Sequence, residues 1–310
     1  MKYIDNVQFE KEYIYTYLNE YGYECYPFNI IYKLEIESID FFDITILYGN
    51  NGSGKSTLLN VIAEKLNCSR KTDLYKHILH TYKVIDGVHV PYKFKPMDDI
   101  NEYLDVNMVL DDYGRRPIER PAIIKYISSE DVFSEIDNTI KHNRRSSEEI
   151  LNAIEDKHEI IRKAKDDNFK YRCMADYERM KQVNEVYANS DYKYALKHTT
   201  KRAYKINSNG ETALMYFDNI FENDGIYLLD EPENCLSPVF QLKLMEIIEY
   251  VTKYCGCQFI IATHSPLILS LKSAKIYNLD KSPVEVNKWN ELENVKLYYE
   301  FFKSREKEFD

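Results

Sequence analysis

Residues 49–57 read GNNGSGKST, a G-x-x-x-x-G-K-[ST] pattern whose chemistry is the grip on a polyphosphate. Small residues let backbone N–H groups converge on phosphate oxygens that side chains would fence off. The segment runs into KSTLLNVIAEKL, with Leu58, Leu59, Ile62 and Leu66 on one helical face. A helix N-terminus would therefore add its positive end to the loop. Asn50, Asn51, Gly52, Ser53 and Gly54 form the expected cradle, and Thr57 closes it. Lys55 is placed to reach the β- and γ-phosphates, and the Ser56 hydroxyl to ligate Mg²⁺. A plain glycine-rich turn is the bland alternative. Against it stands composition: the chain holds nine glycines in 310 residues, and Gly49, Gly52 and Gly54 are three of them.

Two further segments supply acids and a base. GIYLLDEPE (225–233) is an apolar run ending in Asp230 and Glu231. An acid at a strand end can hold Mg²⁺ through water, and the next carboxylate can polarise an attacking water. Downstream, FIIATHSP ends a second apolar run with His264, whose imidazole could contact a γ-phosphate. A strand ending in two acids is common, and so is a structural histidine. The phosphate loop upstream gives these residues their expected roles.

KINSNGETALMYF (205–217) places Ser208, Asn209, Gly210 and Glu211 at the start of a helix. Taken alone this is a helix cap with Asn209 as N-cap. Taken with the other segments it is a second anion-binding helix N-terminus. One nucleotide does not need two such ends in cis, so the segment is expected to face a phosphate held by another subunit.

These residues need elements to hold them. Residues 28–48 (FNIIYKLEIES, then FFDITILYG) alternate in the strand manner and end in a buried strand at Ile44–Tyr48. Residues 68–121 carry scattered Gly and Pro and read as short strands and loops, followed by a strand AIIKYI at 122–127. Neither Gly nor Pro occurs between Pro121 and Gly210, and the dense charge over 130–205 predicts two or three helices. Ile150, Ile154 and Ile161 form a partial stripe too short for a long coiled coil. After Gly210 come a helix, the strand GIYLLD, the helix PVFQLKLMEIIEYVTKY and the strand CQFIIAT. Two short strands around 275–287 and a polar helix complete the chain.

Composition excludes several classes. With 44% hydrophobic and 30% charged residues the chain can fill a core. Lys+Arg number 41 against 51 Asp+Glu, and the resulting charge of −10 argues against coating nucleic acid or anionic membrane. Residues 141–205 depart from this, with 16 basic and 11 acidic residues, hence +5, leaving −15 elsewhere. The six cysteines show no zinc-site spacing, although Cys255 and Cys257 form a C-x-C pair. The first residues carry charge where a signal peptide needs an apolar run, and no apolar stretch approaches about 20 residues. A soluble, cytoplasmic protein is expected. The seven histidines do not cluster with acids, so no nuclease centre is expected.

The order GNNGSGKST, SNGE, LLDEPE, NCLSP, ATHSP resembles ABC-type ATPase heads, those of the RecF/SMC-like branch and not transporter subunits. The resemblance covers residues 28–66 and 200–280. It implies an α/β fold: a P-loop ABC-type ATPase head with an antiparallel β-subdomain and an inserted helical subdomain. Residues 1–127 would form the N-terminal part of the head, 128–205 the insertion and 206–310 the C-terminal part. Ser208–Glu211 would stand at the signature motif, Asn234–Pro238 at the D-loop and His264 at the switch histidine. The ligands implied are ATP and Mg²⁺, and the assembly a head-to-tail homodimer that sandwiches ATP. INSNGETALMYF and DEPENCLSP look like the stand-alone ATPases of bacterial antiphage systems of the retron-linked or Septu type. That implies a regulatory ATPase with an effector partner such as an HNH nuclease. The alternative is a RecF-like repair ATPase acting directly on DNA, with the +5 region touching phosphates. One departure stands out. The family carries a Q-loop glutamine after a strand in this interval, whereas AIIKYI is followed by Ser128, Ser129, Glu130 and Asp131. Glu130 or a serine is the expected substitute there, with slow hydrolysis as a consequence.

Overall fold

The fold is described from a computed structural model over residues 2–71, 79–85, 88–94, 104–110, 121–166, 176–198 and 209–309. The chain divides into two compact units, Met1–Phe133 with Ala213–Asp310, and Ser134–Thr212.

The first unit contains β1 (Ile4–Phe9), α1 (Lys11–Tyr21), α2 (Phe28–Leu34), β2 (Ser38–Asp40), β3 (Ile44–Tyr48), α3 (Lys55–Lys65), β4 (Leu79–Ile85), β5 (Val88–Phe94), β6 (Leu104–Met108) and β7 (Ile123–Ser128). The chain then enters α4 (Ser129–Asp166), α5 (Tyr177–Ala188), α6 (Asp191–His198) and α7 (Asn209–Ile220). It returns through β8 (Gly225–Asp230), α8 (Pro238–Tyr254), β9 (Gln258–Thr263), β10 (Lys275–Asn278), β11 (Glu285–Asn287) and α9 (Glu293–Ser304).

The main sheet has the order β11–β10–β3–β9–β8–β7, parallel throughout except for β11. Strands β3, β8 and β9 read ITILY, GIYLLD and QFIIAT, apolar without alternation, and are buried almost to their last residues. That pattern belongs to parallel strands covered on both faces. β7, at the sheet edge, is only half-buried along most of its length. Register aligns Tyr48 with Thr263, Asp230 with Ala262 and Ser128 with Asp230. The ends of four strands thus lie along one sheet edge, where open α/β sheets place their ligands.

A three-stranded antiparallel sheet, β2–β1–β6, packs into the same core. One buried amide joins it to the main sheet. Gln258 Oε1 accepts the N–H groups of Tyr3 and Ile4, each at 2.9 Å, and its Nε2 donates to the carbonyls of Ile4 and Phe42. Such complete satisfaction is what lets a fully buried glutamine persist.

Residues 28–34 correct the sequence-based expectation of a strand. They form α2, with Phe28, Ile31 and Leu34 buried at three-residue spacing and Tyr32 exposed. The apolar pattern of FNIIYKL fits either period over so short a run. Packing decides it: the Phe28 ring stacks on Tyr17 of α1 with centroids 3.9 Å apart.

α4, of which all but Ser129–Phe133 belongs to the second unit, is a single helix of 38 residues, about 57 Å at 1.5 Å per residue. It is longer than the interrupted isoleucine stripe suggested. Ala153 and Lys157 are buried on the face that carries the half-buried Ile150, Ile154 and Ile161. The Lys157 ammonium donates to the Asn189 carbonyl at 2.8 Å and to Asp191 Oδ1 at 2.6 Å, fastening α4 to the α5–α6 junction. A buried lysine needs that pairing.

Candidate functional site

The phosphate loop joins β3 to α3. Gly52 and Gly54 have φ of 84° and 95°, the left-handed region that favours glycine. A Cβ on Gly54 would lie 2.5 Å from Ile30 Cγ2, so α2 packs directly against the loop; a Cβ on Gly52 would meet nothing within 4 Å. The loop is therefore closed on the α2 side and open at Gly52. Its first residues are tied down by Asp280, just beyond β10, which accepts from the Asn50 N–H at 2.9 Å and the Asn50 amide at 3.0 Å. The Asn51 side chain is exposed, Thr57 is half-buried, and Ser53 Oγ is buried with no hydrogen-bond partner among the described residues.

Lys55 begins α3 and is only 4% exposed. Its ammonium donates to the carbonyls of Gly49 at 2.8 Å and Asn50 at 3.2 Å, and lies 3.4 Å from Glu231 Oε1. The neighbouring Ser56 hydroxyl donates to Asp230 Oδ1 at 2.8 Å. The other Asp230 oxygen accepts from the Tyr126 hydroxyl at 2.9 Å. Burial raises the Asp230 carboxyl above its ordinary value, outweighing the hydrogen bonds from Ser56 and Tyr126.

Glu231 leaves β8 in a left-handed conformation, φ 47°, which turns its side chain back toward the loop. Burial works to raise its carboxyl, but the Asn234 amide at 3.0 Å, Lys55 and His264 outweigh it and hold the group below the usual range. Two residues on, Glu233 is buried. Its Oε1 accepts from the Thr263 hydroxyl at 2.6 Å, the His264 N–H at 2.9 Å and the Ser265 N–H at 3.2 Å. His264 Nδ1 sits 3.3 Å from Glu233 Oε1 and 3.6 Å from Glu231 Oε1. Its carbonyl accepts from the Asn294 amide of α9 at 2.8 Å, and the Asn294 N–H reaches the Tyr48 hydroxyl at 3.4 Å.

Lys55, Ser56, Asp230, Glu231 and His264 therefore converge at one end of the main sheet. Asn209, Gly210 and Glu211 open α7 and fall within the second unit; Ser208 lies outside the described residues. The residues after β7 bond to one another: Asp131 Oδ2 accepts the Ser128 N–H at 2.9 Å and its hydroxyl at 3.0 Å, capping α4. Tyr126, Glu233, Asp280 and Asn294 join the site beyond the residues expected from the sequence. Glu233 had a signal, its place in DEPE; the other three have none in a single sequence.

The donor set fits a nucleotide triphosphate with Mg²⁺. Left-handed glycines open to one side, a buried ammonium and a helix N-terminus suit phosphate oxygens. Ser56 and Asp230 are hard oxygen donors, one or two being the usual protein share for Mg²⁺ with phosphates and water. Among the described residues no cluster of three or more His, Cys, Asp or Glu could hold a metal by itself.

The ABC transporter family model matches residues 38–234, more than half of the chain, and the chain belongs to that family. An AAA-domain model named for the AbiEii toxin and a Type IV TA system matches residues 203–270. No curated protein matches. Among solved structures, the chain is similar to the Smc head domain of Pyrococcus furiosus with an extended coiled coil, bound to the C-terminal domain of ScpA. Identity there is 14%, over 97% of this chain and 100% of that one, with a TM-score of 0.36. It is also similar to a dimeric bacterial ABC transporter cassette, at 15% identity over 82% and 90% with a TM-score of 0.34. The SMC head domain from Thermotoga maritima follows at 13% identity over 90% and 94%, TM-score 0.35. The fold is an α/β P-loop ABC ATPase fold with an antiparallel sheet beside the mixed sheet.

Proposed function

We propose that this chain is an Mg²⁺-dependent ATPase working as a dimerising switch. The observation that carries the reading is the convergence of Lys55, Ser56, Asp230 and Glu231 around the glycine loop. Lys55 exchanges Glu231 for the γ-phosphate, and the loop N–H groups hold the remaining phosphate oxygens. Glu231, released from Lys55, accepts a proton from water. The water oxygen bonds to the γ-phosphorus, the bond to the β–γ bridging oxygen breaks, and ADP and phosphate leave. His264, steadied by Glu233 and Asn294, faces the γ-phosphate position and registers its loss. Ser56 and Asp230 are the residues that would hold Mg²⁺, which would supply charge neutralisation for the phosphates.

Asn209, Gly210 and Glu211 at the start of α7, with Ser208 before them in the sequence, would give the chain a second anion-binding end, so a second copy placed head to tail would complete each site. In this reading residues 1–127 and 206–310 form the head and 128–205 the insertion. The biological setting we favour is antiphage defence, where the ATPase regulates an effector such as an HNH nuclease. The match of residues 203–270 to a model named for a toxin supports that setting. No helix among the described residues is long and apolar enough to cross a membrane, which suits action in the cytoplasm.

Phosphate release from ATP tests the enzymatic core. Wild-type protein should hydrolyse ATP with Mg²⁺ and stop in EDTA, and Lys55→Ala should lose both binding and turnover. Turnover by Lys55→Ala at the wild-type rate would exclude this site.

A further inference from the structure

Tyr126 is used by none of the roles above, yet its hydroxyl donates to Asp230 Oδ2 while Ser56 addresses Oδ1. The carboxylate is thus gripped at both oxygens, by a strand on one side and by α3 on the other. The phenol itself has little freedom. It is 8% exposed, and the Arg70 guanidinium covers its ring 4.3 Å from the centroid. Arg70 is anchored on α3, donating to Asn60 Oδ1 at 2.9 Å and to the Asn60 carbonyl at 3.3 Å. The Tyr126 N–H donates to the Ser69 carbonyl at 3.0 Å, so adjacent residues hold its backbone and its ring.

We infer that Tyr126 is a positioning residue for the metal site: its hydroxyl fixes the rotation of the Asp230 carboxylate, and Arg70 holds Tyr126 in place. The inference rests on the ATPase reading, in which Asp230 serves Mg²⁺. A carboxylate bonded only by Ser56 could turn about its Cβ–Cγ bond and present its remaining lone pairs in several directions. With Oδ2 bonded to a fixed phenol, those lone pairs are aimed once, before the cation arrives.

Tyr126→Phe removes one oxygen and keeps the ring under Arg70. Outer-shell partners of metal ligands typically change metal affinity or activity about 10–100-fold. The Mg²⁺ concentration for half-maximal hydrolysis should therefore rise roughly tenfold. Mn²⁺ binding to the ATPγS complex, read by electron paramagnetic resonance, should weaken by the same factor. Binding of a fluorescent ATP analogue in EDTA should stay within about twofold, since no metal is involved. Arg70→Leu, which loosens the ring without touching its hydroxyl, should shift Mn²⁺ binding in the same direction by less. Unchanged Mn²⁺ affinity in Tyr126→Phe would overturn the inference, and so would an equal loss of nucleotide binding in EDTA. Wild-type protein that takes up no Mn²⁺ with nucleotide would instead overturn the ATPase reading beneath it.

Discussion

The Lys55 ammonium lies 3.4 Å from the Glu231 carboxylate, so the two groups assigned to phosphate and water are paired with each other before substrate binds. ATP must displace Glu231 from Lys55, and Glu231→Gln removes that competition. A half-buried pair of this kind is worth about 1 kcal/mol, so the variant should bind ATP roughly fivefold tighter while its hydrolysis falls sharply. The Glu231 carboxyl is held below its ordinary value of 4.5. The stabilisation from its pairing is therefore complete above the unfolded value and is lost only as pH falls through the lower folded one. The affinity gain of Glu231→Gln should accordingly be equal at pH 6 and pH 8 in nucleotide titrations. A severalfold difference between them would contradict the pairing.

The two left-handed loop glycines should differ in their tolerance of alanine. Gly52→Ala meets open space and bears only the backbone penalty, roughly 1–2 kcal/mol. Gly54→Ala adds a Cβ 2.5 Å from Ile30 Cγ2, a methyl on a stiff β-branched side chain. Overpacking of that kind costs a further 1–3 kcal/mol or so. Urea unfolding should rank Gly54→Ala well below Gly52→Ala; equal midpoints would show that α2 does not press on the loop.

Glu233 joins the acidic segment to the histidine segment by accepting three donors on one oxygen. Glu233→Ala takes that acceptor from the Thr263 hydroxyl and the His264 N–H, while the Ser265 N–H keeps Thr263 Oγ1 at 3.0 Å, and should cost about 2–3 kcal/mol. Glu233→Gln keeps the acceptor oxygen and should recover much of that stability. Because His264 keeps only its Asn294 contact in the alanine variant, turnover should fall more than ATP affinity. An alanine variant as stable and active as wild type would remove Glu233 from the site.

The sequence was legible where chemistry and period coincide. GNNGSGKST and LLDEPE name their own geometry, and the apolar runs at β3, β8 and β9 leave little choice but buried parallel strands. FNIIYKL is ambiguous because seven residues with three buried positions fit a helix as well as a strand, and the Tyr17–Phe28 stacking that decides it is tertiary. Asp280 and Asn294 reach the loop and His264 across long sequence separations, and neither neighbourhood carries a motif. Tyr126 was hidden by its strand. AIIKYI reads only as a strand, and it takes the pairing of β7 with β8, which sets Tyr126 beside Leu228, to bring the phenol within reach of Asp230 two residues on.

Sedimentation of Glu231→Gln with ATP and Mg²⁺ tests the switch most directly. The variant binds substrate but cannot remove the proton from water, so ATP should persist and hold two copies together. The account predicts a monomer without nucleotide and a dimer with ATP and Mg²⁺, with Lys55→Ala remaining monomeric in both. A variant that stays monomeric with ATP, or is equally dimeric without it, would contradict the claim that ATP joins two heads.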